Sequence, residues 1–416
     1  MNNFKLQRKE FVDGLLDNSI TILYSGATKQ ESYDEDYYFS VNRNFYYVTG
    51  INQDDVYIMI LKRKGTVKEI VYAAENDPLK IKWVGEVLYP EEIKEISEVN
   101  EVKFLKEFET DLVRLMRDNR YKCVYLDLEE PSFQGQRNFG LELKKKVNAL
   151  ALDKKVYDAY PLITRNRGVK KPYEIELFRH DVEVTRKALE YVMQNLSKCE
   201  YEYQVQALFE GAIKFYGNAI PSFHTIAGSG ANGATLHYSE NVKKLDKNDM
   251  ILLDLGANCN LYHADISRTY PLSGKYSPMQ KTIYSIVLGC NKYIESIARP
   301  GLSIRDLQME TVKYLAKACL EAKLIKTEEE IKNYYFHGVS HHIGLDTHDP
   351  YPDRTEGLKA GMIISNEPGL YFKELGIGVR IEDDLLITED GCENLSKGII
   401  KDVDEVETYI QKYMNK

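Results

Sequence analysis

The sequence predicts two domains: an α/β N-terminal domain, then a C-terminal domain in which helices cover two acid-bearing β-hairpins. Three observations carry that prediction. Residues 1 to about 160 alternate strand-like and helix-like segments, the pattern of an α/β domain around a mixed or parallel sheet. The first histidine is His180, and seven of the eight fall between His224 and His348, so chemistry that needs imidazole belongs to the C-terminal part. Two stretches there, 249–271 and 362–387, each place two acids inside apolar strands joined by a short turn.

Taken in order, Ser19–Tyr24, Val56–Leu61, Glu69–Ala73 and Cys123–Leu128 read as buried strands. Helical periodicity appears in Arg8–Leu16, Pro90–Glu98 and Phe104–Arg117. No GxGxxG or GxxxxGK nucleotide loop occurs, and Asp34, Glu35 and Asp36 read as a solvated turn. The predicted division is residues 1–160, a basic joint over 161–172 bounded by prolines, and a second domain over 173–416. Helices are expected at 173–196, 201–216, 278–298 and 303–322, with a polar turn or short helix at 328–334. Residues 221–237 are Gly-rich without a P-loop lysine, and are expected as a tight loop delivering His237 beside the first hairpin. The last fifteen residues predict an amphipathic packing helix.

Composition excludes several classes. A net charge of −9, with Lys and Arg scattered among acids, argues against nucleic-acid binding, which requires a basic patch. Six cysteines lie far apart without a CxxC pair and read as reduced, mostly core thiols. The N-terminus has no signal-peptide apolar run, and nothing approaches the roughly 18 apolar residues of a membrane span. The expectation is a soluble cytoplasmic protein.

The hairpins carry the chemistry. If Ala257 pairs with Tyr262 across the turn 258–261, the register sets Asp254 opposite Asp265. With Lys373–Gly376 as the second turn, Phe372 pairs with Ile377 and Glu367 faces Glu382. Like charges opposite one another destabilise a ladder, and sequestered carboxylates cost several kcal/mol each unless compensated. The same device twice is hard to assign to chance placement on solvated faces, and a cation is the best compensator for inward-facing acids. Four of the eight histidines, His337, His341, His342 and His348, lie between the hairpins. Four carboxylates and a histidine form an oxygen-rich set suited to Mn²⁺, Co²⁺ or Fe²⁺. Their charge balances two divalent ions, and ions about 3.5–4 Å apart are the arrangement of two-metal hydrolases.

Asp254, Asp265, His341, Glu367 and Glu382 follow the ligand order Asp, Asp, His, Glu, Glu. In that order, and in the words LLDLGA, ADISRTYP, HGVSHHIGLDTHD, NEPGLY and GVRIEDD, the C-terminal part resembles the pita-bread metallopeptidases, family M24. NRNFYYVTGIN and IKWVGE resemble the N-terminal domain of Xaa-Pro aminopeptidases, so the likeness spans nearly the whole chain. It implies an α+β pita-bread catalytic domain that holds two divalent ions, Mn²⁺ foremost with Co²⁺ or Zn²⁺ also fitting. Asp254 would be a terminal ligand of one ion, His341 and Glu367 would hold the other, and Asp265 and Glu382 would bridge. A metal-bridging hydroxide would attack the Xaa-Pro bond, with Glu367 as general base. His237, His337 and His348 would face the substrate, and Arg380 would line the site. His342 points away from His341 if the segment is extended and is left out. The implied substrates are peptides with proline in second position, and the implied assembly is a homodimer or homotetramer. The resemblance departs at Phe223, where the family often has Tyr, at the neighbouring His224, and in the short connection from Leu370 to Gly376.

The nearest rival is a prolidase restricted to Xaa-Pro dipeptides, whose metal site has the same ligands. Methionine aminopeptidases do not need the N-terminal 160 residues, and creatinase does not keep the ligands. A non-catalytic peptide-binding protein on the same fold is the reading from another class, and the intact ligand set opposes it.

Overall fold

A computed structural model describes residues 3–129, 139–151, 153–353 and 355–414. The chain forms two compact units, Met1–Arg167 and Gly168–Lys416. The predicted joint over 161–172 is mostly helical: a helix runs from Tyr160 to Gly168, and the units divide at its last residue.

The N-terminal unit is built on β1 (Ser19–Tyr24), β2 (Tyr57–Arg63), β3 (Thr66–Ala73), β4 (Glu101–Phe104), β5 (Cys123–Leu126) and β6 (Lys155–Asp158). They form one mixed sheet in the order β4-β3-β2-β1-β5-β6. The apolar runs of β1 and β5 place them inside it, with both faces covered. Alternate residues, Ile20, Ile22, Met59, Ile70 and Val124, join the core on one face. The helices are α1 (Asn3–Asp13), α2 (Arg43–Thr49), α3 (Pro78–Val84), α4 (Pro90–Ser97), α5 (Phe108–Met116), α6 (Phe139–Leu150) and α7 (Tyr160–Gly168). In α5 the buried positions Phe108, Asp111, Leu112, Leu115 and Met116 follow the helical repeat.

Periodicity did not reveal α2, α3 or α6. In α2 (RNFYYVT) the aromatic and β-branched residues are modest helix formers. Its ends define it instead: Asn42 accepts from the Phe45 amide at 2.8 Å, and Gly50 closes it in the left-handed region at φ 75°.

The C-terminal unit opens on α8 (Pro172–Asn195) and α9 (Glu202–Gly217). Pro172 sits in the first turn of α8, and the Lys171 amide donates to Glu174 at 2.8 Å. Short strands follow: β7 (Ile220–Pro221), β8 (Ile226–Ser229), β9 (Met250–Leu255), β10 (Ala257–Asn258) and β11 (Ile266–Pro271). The Gly-rich stretch is thus more than a loop. It contains β8, which pairs with β9, and a 3₁₀ turn over Gly230–Ala234. Small residues make this possible, since a Cβ on Gly378 would lie 2.0 Å from the Gly233 carbonyl oxygen.

Next come α10 (Pro278–Ile297) and α11 (Ile304–Glu321), then β12 (Ile363–Asn366), β13 (Gly369–Phe372), β14 (Ile377–Arg380), β15 (Asp383–Ile387) and β16 (Cys392–Asn394). The chain's terminal helix, α12, is described over Val403–Met414; the last two residues of the predicted segment lie outside the described residues. No described helix is long and apolar enough to cross a membrane.

The second hairpin has the predicted register. Phe372 pairs with Ile377, and β12–β15 continues the alignment with Asn366 opposite Asp383, so Glu367 faces Glu382 where the two ladders meet. The first hairpin does not. Ser267, not Asp265, lies opposite Asp254, a shift of two residues. The turn is longer than 258–261 because Leu261 adopts φ 67°, its amide donates to Asn258 Oδ1 at 2.9 Å, and the His263 amide donates to Gly344 O at 3.0 Å. A two-residue shift preserves the face, so Asp254 and Asp265 still point the same way.

Arg268 fastens the hairpins together. Fully buried, it donates to Glu382 O at 2.6 Å, Ser267 O at 2.9 Å, Asp383 Oδ1 at 2.8 Å and Ile399 O at 3.1 Å. Its charge and that of Lys401 hold the Asp383 carboxyl far below the ordinary carboxylate range, against burial. Removing one partner of such a pair strands the other charge, at about 3–5 kcal/mol. Arg268→Met is therefore expected to lower the unfolding free energy of the C-terminal unit by about that much, read from the urea midpoint. An unchanged midpoint would remove Arg268 from this role.

Candidate metal centre

Four strand contacts assemble the site. The Glu382 amide donates to Ser267 O at 3.0 Å and the Glu367 amide to Val339 O at 2.9 Å. The Ser365 amide donates to His341 O at 2.9 Å, and His342 bridges to Ile364. The histidine-rich segment thus lies along β12 as an extra antiparallel strand, and β11 lies along 380–384. Period-two alternation then turns Asp254, Asp265, His341, Glu367 and Glu382 toward one point.

His341 Nε2 is 3.4 Å from Asp265 Oδ2 and 3.4 Å from Glu367 Oε1. Ligand atoms of Asp265, His341 and Glu382 all lie within 4.8 Å of one another. Arg380 Nη2 pairs with Asp254 Oδ2 at 2.5 Å, which brings Asp254 into the same group. Arg380 also donates to Ser267 Oγ at 2.8 Å and to the Tyr371 hydroxyl at 3.0 Å, while Ser267 donates to Glu382 Oε2 at 2.7 Å.

Electrostatics show what is missing. Burial, opposed by Arg380 and reinforced by Asp265, raises Asp254 to about 6. Burial raises Glu367 to about 7 against the pull of His341 and Arg380. Burial and the neighbouring Asp265, Glu367 and Asp254 push Glu382 well above its ordinary value. Burial would lower His341, but Asp265 and Glu367 outweigh it and raise the imidazole to about 9. Asp254 Oδ1, buried, has no hydrogen-bond partner among the described residues. Too much negative charge is confined here for the cations the chain supplies.

The histidine tautomer fits a metal. His341 Nδ1 lies 3.1 Å from its neighbour's carbonyl oxygen, His342 O, which can only accept, so Nδ1 carries a proton; the second proton, which Asp265 and Glu367 hold on Nε2, is the one a cation would displace to use the Nε2 lone pair. The residues thus fit divalent cations: oxygen-rich, one imidazole, an orphaned carboxylate oxygen, and protons that a cation would replace.

The remaining predicted residues arrange around this group. His337 Nδ1 lies 2.8 Å from Gly338 O and its Nε2 2.8 Å from the Tyr371 hydroxyl. Burial and Arg380 lower it to about 4, so the ring is neutral. His348 is exposed, with its ring edge-on to His341 at 4.3 Å between centroids. His237 is exposed and lies near His337. His342 is buried, its ring 4.9 Å from that of Tyr351.

Four supporting residues escaped the sequence reading. Ser267, Ser365 and Tyr371 hydrogen-bond the charged groups, and Asp384 accepts from the Asp265 amide at 3.2 Å. A signal existed for two: Ser267 stands two residues after Asp265 and Ser365 two before Glu367, each on its acid's strand face.

Paired hairpins that gather four carboxylates and a histidine at a buried point define a metal-dependent hydrolase centre of the metallopeptidase class. Residues 176–389 match metallopeptidase family M24, and residues 4–125 match the aminopeptidase P N-terminal domain. The chain belongs to family M24. It is 30% identical to the Xaa-Pro aminopeptidase of Escherichia coli K12, over 97% of this chain and 96% of that one. Against the Haemophilus influenzae Xaa-Pro aminopeptidase the identity is 29%, again over 97% and 96%. Its fold superposes on a candidate aminopeptidase P from Bacillus anthracis with a TM-score of 0.95 and 39% identity, covering 99% of this chain and 98% of that one.

Two expectations follow for the chelated protein. Glu367 and His341 both have folded values above their unfolded ones, so the folded chain binds more protons. The stability of metal-free protein should fall as pH rises from about 4 through 9, and a flat or rising melting temperature would contradict the site's electrostatics. Glu382→Gln should leave metal-free protein as stable as wild type or more so, yet lower the melting temperature of metal-loaded protein. The same sign in both forms would mean that Glu382 does not hold metal.

Proposed function

We propose that this chain is a metal-dependent Xaa-Pro aminopeptidase, releasing the N-terminal residue from peptides with proline in second position. The observation that carries the reading is the five-residue centre inside a chain that matches Xaa-Pro aminopeptidases along nearly its full length. Asp254, Asp265, His341, Glu367 and Glu382 would hold two divalent ions. Manganese is the proposed ion because the donors are mostly carboxylate oxygens. Bound there, the ions supply Lewis acidity and make water a nucleophile at neutral pH.

The chain's own groups divide the rest. Glu367, with an ordinary value already raised by burial, is the proposed base that takes a proton from water. Arg380, bonded to both Asp254 and Ser267, is proposed to keep the terminal carboxylate aimed. His337 spends its proton on Gly338 O and accepts from Tyr371, so a place in the pocket wall suits it better than donation. His348 and His237, both exposed, are the proposed donors to the tetrahedral intermediate. A proline amide has no N–H to offer, so recognition falls to ring shape, and a proton must be brought to the departing nitrogen.

The same reading places the protein in the cytoplasm as a homodimer or homotetramer, resting on its widely spaced thiols and its N-terminal domain. A prolidase is the second reading, because the ligand set alone does not discriminate.

Hydrolysis of Ala-Pro and of a longer Ala-Pro-Xaa-Xaa peptide, with Mn²⁺ added and then chelated, separates the two. Metal-dependent release of Ala from the longer peptide is expected; cleavage of the dipeptide alone would assign a prolidase. His348→Ala should lower kcat by about 10²–10³-fold with metal content unchanged. An unaltered rate would take His348 out of the site.

A further inference from the structure

Away from that centre, His180, Asp181 and Cys259 bring a ring nitrogen, a carboxylate oxygen and a sulfur within 4.8 Å of one another. His180 and Asp181 are consecutive on α8, and Cys259 directly follows β10 in the turn of the first hairpin. Asp181 is fully buried. Its Oδ1 accepts from the Cys259 amide at 3.2 Å and lies 3.6 Å from His180 Nδ1. Its Oδ2 is buried with no hydrogen-bond partner among the described residues. An unpaired buried carboxylate oxygen carries its full desolvation cost, and the Cys259 thiol, which hydrogen-bonds the same carboxylate, leaves Oδ2 unrelieved. The His180 side chain is 54% exposed and Cys259 is half-buried. Two of the three side chains therefore reach solvent.

We propose that His180, Asp181 and Cys259 form an additional metal site that takes a borderline-soft divalent cation of the Zn²⁺ type, with water as fourth ligand. One nitrogen, one oxygen and one sulfur are donors that zinc accepts together, and the thiolate disfavours the hard ions suited to the carboxylate centre. Geometry around the sulfur is tight: a Cβ on Gly217, at the end of α9, would come within 3.0 Å of Cys259 Sγ. The ion would tie the turn between Asp254 and Asp265 to α8, beside the existing bond from the Ala257 amide to Thr185 Oγ1 at 2.9 Å. Burial raises the Asp181 carboxyl to about 6 and holds the Cys259 thiol well above its ordinary value, with Asp181 adding to the latter. Both groups therefore have unfavourable anionic forms that a cation would relieve.

Cobalt distinguishes this site from the carboxylate centre, because only here is sulfur a ligand. Titrating chelated full-length protein with Co²⁺ is expected to develop a near-ultraviolet thiolate-to-cobalt band that Zn²⁺ then bleaches. Cys259→Ala should abolish the band and one bound Zn²⁺ per chain while leaving peptidase activity in place. His180→Ala, at an exposed position, should shift the band to higher Co²⁺ concentration. Absence of the band in wild type, its survival in Cys259→Ala, or an unshifted titration in His180→Ala would each overturn the proposal. These readouts do not depend on which peptide the enzyme cuts.

Discussion

Four carboxylates and an imidazole meeting at one buried point constrain everything around them. Such a cluster repels itself, and burial together with the neighbouring carboxylates raises Glu382, Glu367 and Asp254 above their ordinary values. The fold does not remove this tension with paired cations, as it does at Asp383, where Arg268 and Lys401 neutralise the charge. It leaves the centre short of positive charge, with Arg380 as a partial counterweight. A rigid deficit of that kind binds divalent ions, and the surrounding structure serves to keep it rigid.

Rigidity comes from short strands knitted edge to edge. β11 is held along 380–384 by backbone bonds and by Arg268, and 339–343 is held along β12. Each proposed ligand sits on a strand or strand extension whose neighbours are themselves hydrogen-bonded. Ser267 touches Glu382 and receives from Arg380; Ser365 donates to Glu367 and receives from the His341 amide. Hydroxyls that both give and accept transmit the position of one charged group to the next. The chain from Arg380 through Tyr371 to His337 does the same on another side and leaves that imidazole neutral.

The N-terminal unit supplies no histidine, so the imidazole chemistry is confined to family M24's catalytic portion. Residues 4–125 of it match the aminopeptidase P N-terminal domain. Within the catalytic unit, the turn that separates Asp254 from Asp265 is the least regular part of the site. It is anchored to α8 where Thr185 and Asp181 accept from the backbone amides of Ala257 and Cys259, bonds that do not depend on the Cys259 side chain.

Much of this was legible in the residues. Acids inside apolar strands marked the centre, and the second hairpin's register followed from a short turn ending in Gly376, which occupies the left-handed region at φ 63°. The first hairpin's register did not follow. Leu261 adopts a positive φ that its side chain disfavours, stabilised by Asn258 and accompanied by the His263–Gly344 contact, and no local rule announces that combination. The helix α2 was hidden likewise, because its caps rather than its composition define it.

The sequence by itself determined the types and order of the proposed ligands and the strand faces they occupy, since alternation along a strand is a local property. Only the tertiary structure decided that Arg380 pairs with Asp254, that Ser267 and Ser365 brace the glutamates, and that His337 is neutral while His341 turns Nε2 to the carboxylates. Those depend on distances between segments far apart in the chain and on burial, which sets the cost of each charge. Neither quantity is written in any single stretch of residues.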